Sequence, residues 1–192
     1  MRVVAVLTFL SFGAFLRAEM PPVPRPAPEF VIHYNDGRQA LLSDFRGKVV
    51  ALEFLFTTCP HCQHSSQVFS KLYSEYGAKG FQALGVAFNE MPQMLVPDFI
   101  KQNNVNFPVG FSARDAVLNF LGIPVIERFV VPQIVWIDRK GRIRSQTPPL
   151  GDEKQLQEAY WREMIETLTK EPETTTKKPV TTRHTTARKS AS

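Results

Sequence analysis

The only two cysteines of this 192-residue chain are separated by two residues, in Cys59-Pro60-His61-Cys62. As a structural crosslink the pair is poor. In the chain-entropy model so small a loop stabilises by only about 2 kcal/mol, against about 4.7 kcal/mol for a loop of about 100 residues. A dithiol at this spacing suits chemistry instead, the opening and closing of a disulfide. The flanking residues constrain the fold around it. Val49-Val50-Ala51-Leu52-Glu53-Phe54-Leu55-Phe56 is almost wholly apolar, β-branched or aromatic, as in a strand of a parallel sheet buried on both faces. Beyond the motif, Val68, Phe69, Leu72, Tyr73 and Tyr76 recur at helical spacing, with Gly77 and Gly80 suited to end the helix. The motif therefore marks the junction of a buried strand with a helix. Pro60 suits the first helical position, where its missing N–H would have no helical partner. Cys59 then faces unpaired N–H groups and the positive end of the helix dipole, which favour thiolate over thiol, and a protonated His61 adds to that bias.

The length fits one domain with tails, and fifteen phenylalanines within a 43% hydrophobic composition supply a core. After Arg2, the run Val3 to Leu16 is apolar but for Thr8, Ser11 and Gly13. That is short for a membrane span and right for the core of an export signal. The expected organisation is a signal peptide over 1–18, a Pro-rich linker over 19–28, the folded domain over 29–170 and a disordered basic, Thr-rich tail over 171–192. The expected location is exported, periplasmic or extracytoplasmic, where disulfides form. An uncleaved signal acting as a membrane tether is the alternative. In the tail, five basic residues against two acidic ones leave +3 of the formal +5, so the basic charge is mostly a tail property. Nothing in the chain points to nucleic acid.

Within the domain, Phe30-Val31-Ile32-His33 and Gln39-Ala40-Leu41-Leu42 flank Asn35-Asp36-Gly37, a hairpin signal. After the first helix come an apolar strand over 81–88, a helix over 90–104 with Pro92 near its start and Pro97 inside, and a short strand over 107–111. A helix over 113–121 ends at Gly122. A strand over 133–137 turns through Asp138-Arg139-Lys140-Gly141 into 142–144, and a last helix carries Leu156, Tyr160, Met164, Ile165 and Leu168. This alternation predicts an α/β domain, a mixed central sheet flanked by helices on both faces, with an N-terminal β-hairpin extension.

Taken together, Ala27-Pro28-Glu29-Phe30, Leu42-Ser43-Asp44-Phe45-Arg46-Gly47-Lys48-Val49-Val50, the dithiol, and Val131-Pro132-Gln133-Ile134-Val135-Trp136-Ile137-Asp138-Arg139-Lys140-Gly141 resemble the thioredoxin superfamily. Within it they most resemble the TlpA/ResA group of exported thiol–disulfide oxidoreductases, related to the wider redoxin family. The resemblance runs from about Ala27 to Leu168 and implies a thioredoxin-like fold. It implies exchange of disulfides with protein thiols, supplied by an upstream redox partner, with no metal and no cofactor beyond the Cys59–Cys62 disulfide. Chain physics alone favours a trans bond before Pro132. The resemblance implies cis, with the exposed backbone of Val131 pairing to an extended substrate segment. Two features depart from the family: Thr58 replaces the usual tryptophan, and Pro60-His61 resembles DsbA-type oxidants although many TlpA/ResA proteins act as reductants.

The resemblance implies that Cys59 attacks and Cys62 resolves, with Pro60 and His61 tuning the motif and Val131 and Pro132 forming the substrate groove. Glu53 lies six residues before Cys59, where thioredoxins carry a buried acid. Burial raises such a carboxyl, fitting it to accept the proton of Cys62. The alternative is a carboxylate satisfied by a lysine or by backbone. Glu90 matches a position where some ResA-type proteins hold an acid near the dithiol. His64 completes a Cys-x-x-Cys-x-His pattern that suits zinc or copper, or is a surface histidine. Two other functions stay open: a peroxide-reducing redoxin, although Phe56 stands where peroxiredoxins carry threonine, and a copper- or zinc-delivery module.

Overall fold

The computed structural model describes residues 20–172, so the expected signal over 1–18 and the expected tail beyond Pro172 lie outside the described residues. The strands are β1 (Arg25–Pro26), β2 (Val31–His33), β3 (Gln39–Leu41), β4 (Val49–Leu55), β5 (Phe81–Ala87), β6 (Val109–Phe111), β7 (Gln133–Ile137) and β8 (Arg142–Gln146). The helices are α1 (Pro60–Tyr76), α2 (Pro92–Gln102), α3 (Arg114–Leu121) and α4 (Glu158–Lys170). One mixed sheet runs in the order β1-β8-β7-β4-β5-β6-β2-β3. β4, β5 and β6 are parallel, and β7 lies antiparallel against β4.

All seven residues of β4 and all seven of β5 are buried, which is why both read as unbroken apolar runs. Side chains alternate across β4. Val49, Ala51 and Leu55 face a core shared with Phe69 and Leu72 of α1, Val96 and Phe99 of α2, and Trp161, Ile165 and Leu168 of α4. Val50, Leu52 and Phe54 face the opposite core, closed by Phe30, Ile32 and the apolar side of α3. Phe69 stacks on Trp161 with ring centroids 4.4 Å apart, fixing α1 against α4. Glu53 occupies an odd position of β4 and so shares the α1 side of the sheet with Ala51 and Leu55.

One edge of the sheet differs from a plain reading of the sequence, and the other is the expected hairpin. The segment expected as a free polyproline spacer is extended, but its Arg25 and Pro26 pair with Ile143 and Arg142 as β1, and Ala27 N–H donates to the Gly141 carbonyl at 3.0 Å. Arg25 also donates to Gln146 Oε1 at 2.6 Å. The packed unit thus begins ahead of residue 29. At its other end Glu171, expected in the tail, pairs with Arg144 at 2.7 Å. The second edge is the hairpin β2–β3, which packs onto β6 through His33 and Phe111. There the chains approach so closely that a Cβ on Gly110 would overlap the His33 carbonyl oxygen and the Ile32 side chain. Among the described residues two peptide bonds are cis: the expected Val131–Pro132, and Val23–Pro24 in the docked N-terminal segment.

Candidate active site

β4 delivers the chain to α1 through Phe56-Thr57-Thr58, and this turn is pinned from several sides. Cys59 N–H donates to the Phe56 carbonyl at 3.1 Å, and Gln63 N–H donates to the Cys59 carbonyl at 3.0 Å. Gln63 Nε2 donates to the Thr57 carbonyl at 3.1 Å. Thr57 N–H donates to Asn89 Oδ1 at 3.0 Å, across from the end of β5. Pro60 holds the first helical position, as expected, and Cys59 caps the helix in extended conformation. Thr58, Pro60 and His61 are exposed, Cys59 is half-buried and Cys62 is wholly buried. Both cysteines are free thiols.

The loop before β7 lies against the motif. Cys59 Sγ is 3.8 Å from the Val131 carbonyl oxygen, on the peptide unit that precedes Pro132. A cavity of about 400 Å³ opens beside them, lined among others by His61, His64, Ser65, Val131, Pro132 and Leu150. Gln133 ties its walls together: Nε2 donates to the carbonyls of Val130 at 2.8 Å, Pro148 at 3.1 Å and Pro149 at 3.3 Å.

Glu53 is fully buried beneath α1, and the hydroxyls of Ser65 and Ser66 serve its carboxyl. Its partners are therefore neither lysine nor backbone. Burial raises its pKa from 4.5 to about 7, against the opposing pull of the two serine hydrogen bonds. Burial also pushes the Cys62 thiol up, followed by the charge of Glu53 and a side-chain hydrogen bond with Cys59, while a backbone hydrogen bond at Phe56 opposes. A site this dry holds one negative charge far more readily than two. Cys62 therefore resists ionisation while Glu53 is charged.

The structure thus gathers Cys59, Cys62, Pro60, His61, Glu53, Val131 and Pro132. Glu90 stays apart: it is exposed on the β5–α2 turn, lining a shallow concavity with Phe88, Pro92 and Gln93 that includes neither sulfur. Its neighbour Asn89 holds the motif instead. The parallel register that sets Leu55 beside Ala87 carries on to set Thr57 beside Asn89, a signal available once β4 and β5 are paired. Ser65, Ser66 and Gln133 also escape a reading by residue type. Among the described residues no group of three or more His, Cys, Asp or Glu side chains is placed to hold a metal ion.

A model of the family described as Redoxin matches residues 22–159. The thiol-disulfide oxidoreductase ResA of Bacillus thuringiensis subsp. konkukian (strain 97-27) is 27% identical over 146 residues, spanning 76% of this chain and 81% of the relative. ResA of Geobacillus thermodenitrificans (strain NG80-2) is 32% identical over 119 residues, spanning 62% of this chain and 65% of the relative. The crystal structure of a thiol:disulfide interchange protein, a thioredoxin family protein from Chlorobium tepidum TLS, superposes with a TM-score of 0.63 at 21% identity. It covers 78% of this chain and 99% of that one. The fold is thioredoxin-like.

Proposed function

We propose that this chain, which belongs to the Redoxin family and is a thiol–disulfide oxidoreductase, opens exchange with protein substrates through Cys59 and closes it through Cys62. The observation that carries the assignment of roles is the asymmetry of the two sulfurs. Cys59 is accessible beside the Val131 backbone and the groove, while Cys62 lies buried one turn behind it.

In the reducing direction, the Cys59 thiolate attacks one sulfur of a substrate disulfide. That bond breaks, a mixed disulfide forms, and the other substrate sulfur leaves as a thiolate that takes a proton from solvent. Cys62 gives its proton to the Glu53 carboxylate and attacks Cys59 Sγ. The Cys59–Cys62 bond forms, and the second substrate sulfur departs. Substrate is oxidation-balanced against the dithiol: two electrons leave the pair of thiols and reduce the substrate disulfide. Run backwards, the same steps oxidise a substrate dithiol. The backbone of Val131 offers hydrogen-bonding groups to an extended substrate segment, and Pro60 and His61 tune the attacking sulfur. The dithiol is the only redox group the cycle uses, and a second redox protein upstream renews it. The apolar run Val3 to Leu16 supports export to a periplasmic or extracytoplasmic location, by a cleaved signal or by a membrane tether.

Trapping tests this reading. Incubated with an oxidised protein substrate such as scrambled ribonuclease, Cys62→Ser is expected to accumulate a mixed disulfide on Cys59, and Cys59→Ser to form none. An adduct carried on Cys62 in the Cys59→Ser protein would overturn the assignment of roles.

A further inference from the structure

Glu53 and Cys62 are both without solvent exposure, so a proton passed from one to the other is still inside the protein. The exchange cycle requires it to leave before the next turnover. The hydrogen bonds around Glu53 define where it can go. Ser66 Oγ donates to Glu53 Oε2 at 2.8 Å, but Ser66 is itself sealed from solvent and no hydroxyl continues from it: Ser70 Oγ bonds the Ser66 carbonyl, not its Oγ. Ser65 differs. Its Oγ contacts Glu53 Oε1, lies 3.0 Å from the Cys62 carbonyl oxygen, and belongs to a residue that lines the groove beside Pro132.

A serine hydroxyl carries one proton, yet Ser65 has two acceptors. With Glu53 ionised, Ser65 must choose between the carboxylate and the Cys62 carbonyl. With Glu53 protonated, both contacts are satisfied at once: Glu53 donates to Ser65 Oγ, and Ser65 donates to Cys62. The geometry therefore accommodates the proton on Glu53 and presents it to the hydroxyl of Ser65, a residue only 3% exposed that lines the groove.

We propose that the Ser65 hydroxyl is the proton exit of the exchange cycle, passing the proton that Glu53 takes from Cys62 to water in the groove in concert with closure by Cys62. The inference rests on the reading of Glu53 as that acceptor. In the step, the Glu53 O–H bond breaks as Ser65 Oγ gains the proton, and the Ser65 O–H bond, turned from the Cys62 carbonyl toward the groove, breaks as its own proton passes to a groove water. The sum is one proton from carboxyl to solvent, with no change of oxidation state, and the reverse path reloads Glu53. The titratable groups facing the route are Cys62, His61 and His64 from α1, Cys59 at the N-cap of that helix, Glu53 from β4, and Asp152 and Glu153 from the groove wall ahead of α4.

Stopped-flow oxidation of the reduced full-length protein by 5,5′-dithiobis(2-nitrobenzoate) tests it. The first nitrothiobenzoate released reports attack by Cys59, and the second reports closure by Cys62. Ser65→Ala is expected to slow the second phase by at least about tenfold relative to the first, and Ser66→Ala to slow it less. Equal slowing by the two variants would overturn the proposal, because Ser65 would then merely support Glu53. A proton inventory on the unaltered protein is independent of any folding defect. A second-phase rate that curves with deuterium fraction, as two protons in flight require, supports the relay, and a linear dependence overturns it. Glu53→Gln separates the two levels: a second phase as fast as in the unaltered protein would show that the Glu53 reading itself, and the exit with it, is wrong. A slow Glu53→Gln together with a fast Ser65→Ala would remove the exit alone.

Discussion

The side-chain amide of Gln133 lies 2.8 Å from the carbonyl oxygen of Val130, and the same nitrogen reaches the carbonyls of Pro148 and Pro149 on the facing segment. One buried carboxamide thus holds together the two stretches of chain between which the groove opens, with Val130 on one wall and Leu150 on the other. Val130 N–H donates to the Pro149 carbonyl at 2.8 Å and closes the same joint from the backbone side.

Replacing Gln133 by leucine removes these donors, while the Pro148 and Pro149 carbonyls keep the N–H groups of Gly151 and Val130, so the cost is that of the lost side-chain hydrogen bonds, about 0.5–1.5 kcal/mol of stability. Its functional effect should fall on protein substrates. We expect KM for a protein disulfide to rise several-fold, with the reaction toward a small disulfide changed much less. Parallel loss toward both substrate sizes would show that the joint supports the dithiol and not the groove.

Glu53 makes the stability of the fold depend on pH. Burial raises this carboxyl from 4.5 to about 7. Between those values the folded protein keeps a proton that the unfolded chain has released, so its contribution is most favourable below pH 4.5. It declines as pH rises toward 7 and is level above. The span corresponds to about 3 kcal/mol. Glu53→Gln, which never ionises, should therefore gain on the unaltered protein by about that amount between the acidic and the alkaline end. Urea denaturation of both proteins across the range measures it, and a constant difference would contradict the raised pKa.

Asn89 accepts the Thr57 N–H at the entrance to the motif, and Thr57 is buried. In Asn89→Ala that donor loses its partner, costing about 1–3 kcal/mol. The Thr57 amide should lose protection from hydrogen exchange, and mixed-disulfide formation by Cys59 should slow. If that amide stays as protected as in the unaltered protein, some other group orders the turn.

Gly110 is a packing prediction away from the chemistry. A methyl group at this position would meet the His33 carbonyl and Ile32 side chain inside contact distance. Gly110→Ala should destabilise by about 1–3 kcal/mol, loosening the β2–β3 hairpin from β6 first. Thermal unfolding monitored by circular dichroism reads the loss, and an unchanged midpoint would mean the hairpin shifts at no cost.

How much of this was legible depended on whether a residue acts locally. Val49 to Leu55 and Phe81 to Ala87 announce buried strands because each is apolar without interruption, and Pro60 marks the start of α1 to the residue. Cys59 and Cys62 were readable from the motif itself, and Glu53 from the family resemblance, which puts an acid six residues before the first cysteine. Ser65, Ser66, Asn89 and Gln133 were not. Each is an ordinary polar residue by composition, and its role comes from what packs against it: a carboxyl across a strand–helix interface, an amide across a parallel register, three carbonyls across a loop. β1 failed for the same reason. Arg25-Pro26 has an extended-chain composition, but nothing local says that β8 will be its neighbour.

That docking carries a further meaning for how the molecule meets others of its kind. A sheet that stopped at β8 would present free backbone groups to any passing strand, an invitation to stack copy upon copy. β1 occupies those groups, and its own outer rim is interrupted by Pro26, which has no N–H to offer. At the far rim the Asp44 carboxylate takes the Leu41 N–H at 2.8 Å. The eight strands are thus blunted at both ends, and a version trimmed to begin at Ala27 would be expected to self-associate more readily than the longer chain, a difference that analytical ultracentrifugation reads.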